Sequence, residues 1–163
     1  MSRISRQCLF MEIAHVVSKR STCFRLNVGA ILVRDNNILS IGYNGRPSGH
    51  AHCQGASCPG RFSCKETTHA ERNALERLPA SDVDPTWPDI DLYCTDSPCQ
   101  DCAELIGRSG IVSRVFFARP YRITESLDWL LTQGIDSYQV MPSGSIVNWQ
   151  FKEVVDEQSL IRK

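Results

Sequence analysis

No stretch of this 163-residue chain is apolar for long enough to span a membrane, and its first twenty residues are interrupted by Arg3, Arg6, Glu12, His15 and Lys19. Neither a membrane anchor nor an apolar leader is expected. An excess of one charge is also missing, because 18 basic residues balance 18 acidic ones without a run of either sign. That balance removes the usual electrostatic footprint of a protein that holds long nucleic acid by its phosphates. A single nucleotide is still allowed. Repeats and low-complexity segments are absent as well, so residues 1–163 read as one domain, large enough to bury a core without covalent staples.

Cysteine, by contrast, is plentiful. Eight cysteines without a secretory pattern point to metal binding or catalysis in a reducing compartment, and so to a cytoplasmic protein.

Along the chain, Ile4, Cys8, Leu9, Met11, Ile13, Val16 and Val17 recur at roughly helical spacing and predict a first helix over 4–17. Val28 to Val33 and Ile38 to Tyr43 flank Asp35-Asn36-Asn37 and predict a β-hairpin. From Asn44 to Thr67 the periodicity vanishes among Gly and Pro, leaving a loop too long for a simple connector. Residues 46–68 are read as a metal-binding insertion, since they hold Cys53, Cys58, Cys64, His50 and His52. Thr68 with Glu71 forms a capping-box pattern, which predicts a helix from Thr68 or His69 to Leu78.

A strand over 90–95, a helix from about Cys99 to Ser109, a strand over 114–118, a helix over 124–132 and a strand near 137–140 follow. This alternation implies parallel strands joined by helices. The expected architecture is a three-layer α/β/α sandwich with a mixed five-stranded sheet, and residues 142–163 read as a tail without assignable structure.

Two segments carry the chemistry. Thr68-His69-Ala70-Glu71 and Ser97-Pro98-Cys99-Gln100-Asp101-Cys102 together spell H-x-E followed by P-C-x-x-C, and resemble the signature of zinc-dependent nucleobase deaminases. The spacing makes physical sense. Cysteines three apart at a helix start present both sulfurs to one side, at the positive end of the helix dipole, where thiolates are favoured. With His69 they give Zn2+ three protein ligands and leave a fourth position for water, as catalytic zinc sites do. Glu71, two residues from His69, would be a proton shuttle and not a ligand. Taken singly, the C-x-x-C also fits a redox pair or half of a structural zinc site, and Glu71 also fits a capping residue. Their combination selects the deaminase reading.

The chain also resembles the deoxycytidylate (dCMP) deaminases of the cytidine deaminase superfamily from about residue 9 to 122. The resemblance is carried by Arg20-Ser21-Thr22-Cys23, Val28-Gly29-Ala30, Gly42-Tyr43-Asn44-Gly45 with Pro47, His69-Ala70-Glu71-Arg72-Asn73-Ala74, and Ser97-Pro98-Cys99 with Cys102. It implies hydrolysis of dCMP to dUMP and ammonia in pyrimidine deoxynucleotide metabolism. His69, Cys99 and Cys102 would be the zinc ligands and Glu71 the acid/base. Ala70 N–H would meet the cytosine carbonyl, Asn44 the sugar and Arg25 the phosphate, with Tyr121 bordering the pocket.

The resemblance further implies a second, structural Zn2+ at Cys23 and Cys53. Cys58 and Cys64 would complete it, with His50 and His52 as substitutes. It also implies a hexameric assembly, and activation by dCTP with Mg2+ and inhibition by dTTP through the loop containing Gly42, Tyr43 and Gly45. Asn44-Gly45 alone also reads as a turn, and Arg25 alone as a surface charge. Rival substrates are 5-substituted dCMP, dCTP, and a cytidine or adenosine in nucleic acid. Outside the enzyme class, a catalytically inactive, zinc-stabilised binding module remains open.

Overall fold

The computed structural model describes residues 3–53, 66–84, 86 and 88–161. Cys58 and Cys64 lie outside the described residues. The elements are α1 (Arg6–Ser18), β1 (Gly29–Arg34), β2 (Asn37–Tyr43), α2 (Ala70–Glu76), β3 (Ile90–Asp96), α3 (Gln100–Ser109), β4 (Val112–Arg119), α4 (Glu125–Thr132), β5 (Asp136–Val140), β6 (Ile146–Asn148) and β7 (Glu153–Val155). Short 3-10 turns occupy Ala80–Asp82 and Glu157–Leu160. No described helix is long and apolar enough to cross a membrane.

The strands form one mixed sheet in the order β2-β1-β3-β4-β5-β6-β7. β3, β4 and β5 are parallel neighbours, as the alternation predicts, while β1 runs antiparallel to both β2 and β3. The hairpin turn has Asp35 and Asn36 both at positive φ, 47° and 67°, the backbone that matches the twist of a two-residue β-turn.

Two apolar layers flank the sheet. On one face α1 contributes Phe10, Met11, Ala14 and Val17 against Ile31, Tyr93, Phe116 and Tyr138. On the other, Ala70, Ala74, Ala103, Ile106, Leu127 and Leu130 of α2, α3 and α4 cover Leu32, Leu92, Val115 and Phe117. This is the expected α/β/α layering. β3, an interior strand between β1 and β4, is buried along almost its whole length, so its C-terminal end delivers the Ser97-Pro98-Cys99 segment from a fixed support.

The expected strand count needs correction, because the sheet has seven strands and not five. The added pair, β6 and β7, lies in the 142–163 segment that reads as a tail without assignable structure. Each is three residues long, too short to display the two-residue alternation by which strands are read. β6 is held by antiparallel pairing to β5, and β7 by pairing to β6. The capping-box expectation also fails. His69, not Thr68, is the N-cap of α2, and no side chain caps it. Thr68 is instead paired with Gly45 through N–H···O bonds of 2.8 and 3.1 Å, which keeps its backbone extended, and Glu71 is buried.

Candidate active site

The three residues of the H-x-E and P-C-x-x-C segments with ligand chemistry converge at two helix starts. His69 is the N-cap of α2, Cys99 is the N-cap of α3, and Cys102 lies in the first turn of α3. Cys99 Sγ is 3.4 Å and Cys102 Sγ 3.3 Å from His69 Nδ1. Among the described residues these are the only three His, Cys, Asp or Glu side chains that gather closely enough to hold a metal ion, with ligand atoms within 4.8 Å of one another.

The donor set fits Zn2+. Tetrahedral angles with ordinary Zn–S and Zn–N bond lengths separate sulfur and nitrogen by roughly 3.6 Å, only slightly more than the distances found. The site's electrostatics already favour a cation. A hydrogen bond from Cys102, joined by one from His69 and opposed by burial, holds Cys99 down to about 4, in the thiolate range at neutral pH. The hydrogen bond to Cys99, together with burial, pushes Cys102 up. The hydrogen bond with Cys99 raises His69 against the opposing effect of burial. A divalent ion displaces the protons from such ligands.

Glu71 lies within the first turn of α2, 4% exposed. Burial raises its carboxyl from 4.5 to about 7, opposed most by its own backbone hydrogen bond and then by His69. A group in that range can both take and give a proton near neutrality. These residues line one cleft of about 580 Å³, together with Arg25, Asn44, Ala70, Asp96 and Tyr121.

The remaining residues singled out in the sequence are placed as follows. Asn44 is buried, and its side chain clamps the segment before β1. Its Oδ1 accepts from Val28 N–H at 2.8 Å and from Ser21 Oγ at 2.6 Å, and its Nδ2 donates to Leu26 carbonyl at 2.7 Å. It is thus not the centre of a local Asn-Gly turn, and one N–H of its amide has no partner among the described residues. Arg25 is exposed at the cleft. Tyr121 N–H donates to Ser97 Oγ at 2.7 Å, and the Arg122 guanidinium lies 5.5 Å from the centre of the Tyr121 ring.

Gly42 permits close packing, since a Cβ there would overlap Ala70 O and Ala74 N of α2. Tyr43 gives its carbonyl to Asn73 Nδ2 at 2.8 Å. Gly45 lies against Thr22 and pairs with Thr68. Cys23 borders the cleft, and Cys53, half-buried, is the last residue described before position 66.

Sequence reasoning passed over Asp96, which lines the cleft at 8% exposure. The available signal was a carboxylate closing the otherwise sheltered run Ile90-Asp91-Leu92-Tyr93-Cys94-Thr95, immediately before Ser97-Pro98-Cys99.

Residues 4–119 match the family described as the cytidine and deoxycytidylate deaminase zinc-binding region. The chain belongs to this family. Membership agrees with the resemblance carried by the motifs. Within it, the chain is 36% identical over 155 residues to ComE operon protein 2 of Bacillus subtilis, covering 94% of this chain and 80% of that protein. It is 36% identical over 131 residues to the deoxycytidylate deaminase of Mycobacterium phage D29, covering 71% and 97% respectively. The chain spans about half the length of the curated fungal deoxycytidylate deaminases it matches, 45% and 46%. Among solved structures, the dCMP deaminase of cyanophage S-TIM5, crystallised with dCMP and dUMP, superposes with a TM-score of 0.70 at 35% identity. That match covers 82% of this chain and 95% of the phage protein.

Proposed function

We propose that this family member is a zinc-dependent hydrolase that converts dCMP and water to dUMP and ammonia. The observation that carries the reading is the buried Glu71 carboxyl beside the His69, Cys99 and Cys102 cluster at one cleft. The names of its relatives supply the nucleotide: the phage D29 protein and the cyanophage S-TIM5 protein are both dCMP deaminases.

His69, Cys99 and Cys102 would hold Zn2+, which when bound acts as a Lewis acid and makes water a nucleophile near neutral pH. Glu71 does the proton work. It takes the first proton of the attacking water and gives it to the ring nitrogen, then takes the second from the hydroxyl added at C4 and passes it to the amine as the bond between C4 and nitrogen breaks. Its elevated pKa suits both directions of transfer. Ala70, the first residue of α2, has an N–H without an acceptor inside the helix and is assigned to the base carbonyl. The remaining amide N–H of Asn44 is assigned to the sugar, Arg25 to the phosphate as a bidentate donor, and Tyr121 to the wall of the pocket.

Cys23 and Cys53 are assigned to a second, structural Zn2+, completed by Cys58 and Cys64. Cytoplasmic location rests on the eight cysteines without a secretory pattern; hexamer formation and control by dCTP with Mg2+ and by dTTP rest on the resemblance alone, since Gly42 and Gly45 have packing roles of their own.

Ammonia release from dCMP, 5-methyl-dCMP, dCTP, CMP and deoxycytidine tests the reading, each with and without dCTP or dTTP as effector. Preference for dCMP is expected. Preference for another of the five would move the substrate while keeping the chemistry, and no turnover of any would refute the proposal.

A further inference from the structure

Asp96 ends β3 at the cleft, and neither the metal ligands nor the proton shuttle uses it. Its two side-chain hydrogen bonds, from Thr95 Oγ1 at 3.0 Å and Arg119 Nη2 at 2.9 Å, both end on Oδ2. Oδ1 has no partner among the described residues. Arg119 is the ion-pair partner, but its side chain is 56% exposed while that of Asp96 is 11% exposed. Water therefore screens the counter-charge on the outer side.

The carboxylate is also anchored. Thr95 Oγ1, which donates to it, accepts Gly29 N–H at 3.2 Å. The preceding Val28 N–H is bonded to Asn44 Oδ1. Asp96 thus stands on the Asn44 side of the cleft.

An ionised carboxylate accepts hydrogen bonds and donates none. Resting on the dCMP reading, the possible donors are few. The base amino group belongs at Glu71, where it departs. The base carbonyl, the ring nitrogen and the phosphate oxygens are acceptors, and the phosphate is repelled by Asp96. One donor remains on a deoxyribonucleotide. We infer that Asp96 Oδ1 accepts a hydrogen bond from the 3′-hydroxyl of the substrate sugar and thereby selects nucleotides whose 3′ end is free.

A phosphate esterified to that oxygen would remove the donor and add a negative charge beside a buried carboxylate. Nucleotides inside a strand are excluded on both counts. This exclusion is local, and adds to the lack of net positive charge on the chain as a whole.

The test compares dCMP with 2′,3′-dideoxy-CMP on the zinc-loaded protein, with kcat and KM measured separately. The unaltered protein is expected to favour dCMP by about 10- to 100-fold in kcat/KM, the usual worth of a hydrogen bond to a charged group. The loss should appear in KM, since the bond is made in bound substrate and transition state alike. In Asp96→Ala the preference should fall by about tenfold or more, leaving only what the Asn44 N–H assigned to the same sugar contributes, and Asp96→Asn, which keeps an acceptor oxygen, should fall between. Calorimetric binding of dUMP against 2′,3′-dideoxy-UMP should repeat the pattern without turnover.

An unchanged preference in Asp96→Ala overturns the inference. If that variant does not fold, a ratio near one in the unaltered protein overturns it equally. Loss of dCMP turnover with discrimination between the two uridylates intact would sink the reaction and leave the contact standing; loss of both would sink both.

Discussion

Two groups of cysteines in this molecule invite comparison. Cys99 and Cys102 sit at the start of α3, supported from below by the buried β3 and brought to His69 at the start of α2. Cys23 and Cys53 belong to irregular segments on either side of the β1–β2 hairpin. Helical geometry places the first pair by itself, since residues three apart share a face. Only the tertiary fold can bring the second pair to a common site. The difference separates the proposed catalytic centre, whose three ligands would leave a position for water, from a group proposed to hold chain segments together.

The contrast breaks most severely if the first group is altered. His69→Ala or Cys99→Ala should lose the catalytic zinc and reduce dCMP turnover to the assay floor, with the metal content of the purified protein as the independent check. Retained activity in either would remove this group from the chemistry.

Glu71→Gln comes next. It should keep its metal while kcat falls by about 10²- to 10⁴-fold, the range for loss of a general acid/base. Metal-free protein gives a second measure of the same residue. Because the folded-state pKa of Glu71 is raised from 4.5 to about 7, the native protein retains a proton that the unfolded chain gives up between those values. Its contribution is complete below the lower value and declines as pH approaches the upper one, by about 3 kcal/mol in all. Denaturant titrations of the metal-free wild type and Glu71→Gln across this window should differ by that amount; parallel curves would contradict the buried, protonated state.

The smallest effect on activity is expected from the second group. Cys23→Ala or Cys53→Ala should lower the zinc content by one per chain and reduce the thermal midpoint, with kcat/KM falling less than about tenfold because the chemistry is elsewhere. Full zinc content in both variants would remove the structural metal and leave the comparison one-sided.

What could be read from the sequence follows the same division between local and tertiary causes. The Asp35-Asn36 hairpin and the start of α3 at Cys99 were legible because each is set by neighbours a few residues away, and the parallel β3–β4–β5 core because strands alternate with helices along the chain. Thr68 misleads because its backbone is committed to Gly45, more than twenty positions earlier. β6 and β7 are invisible as periodicity and exist through pairing to β5 and to each other. Asn44 looks like half of an Asn-Gly turn, yet its amide is spent on Ser21, Leu26 and Val28, partners that no local pattern reveals. The active-site motif could be read because its two halves are short and each opens a helix. Asp96 adjoins that motif without belonging to it, and its one signal is a carboxylate at the end of a strand.

The paired backbones of Gly45 and Thr68 also have a bearing on how the molecule can change. They join the two ends of the intervening segment immediately before His69, so the segment's length is insulated from the position of that ligand. Lengthening a closed loop twofold adds only about 0.6 kcal/mol to the entropic cost of closing it. Residues inserted in the interval would therefore leave the neighbouring helix in register so long as the interval's proposed zinc-binding cysteines are kept.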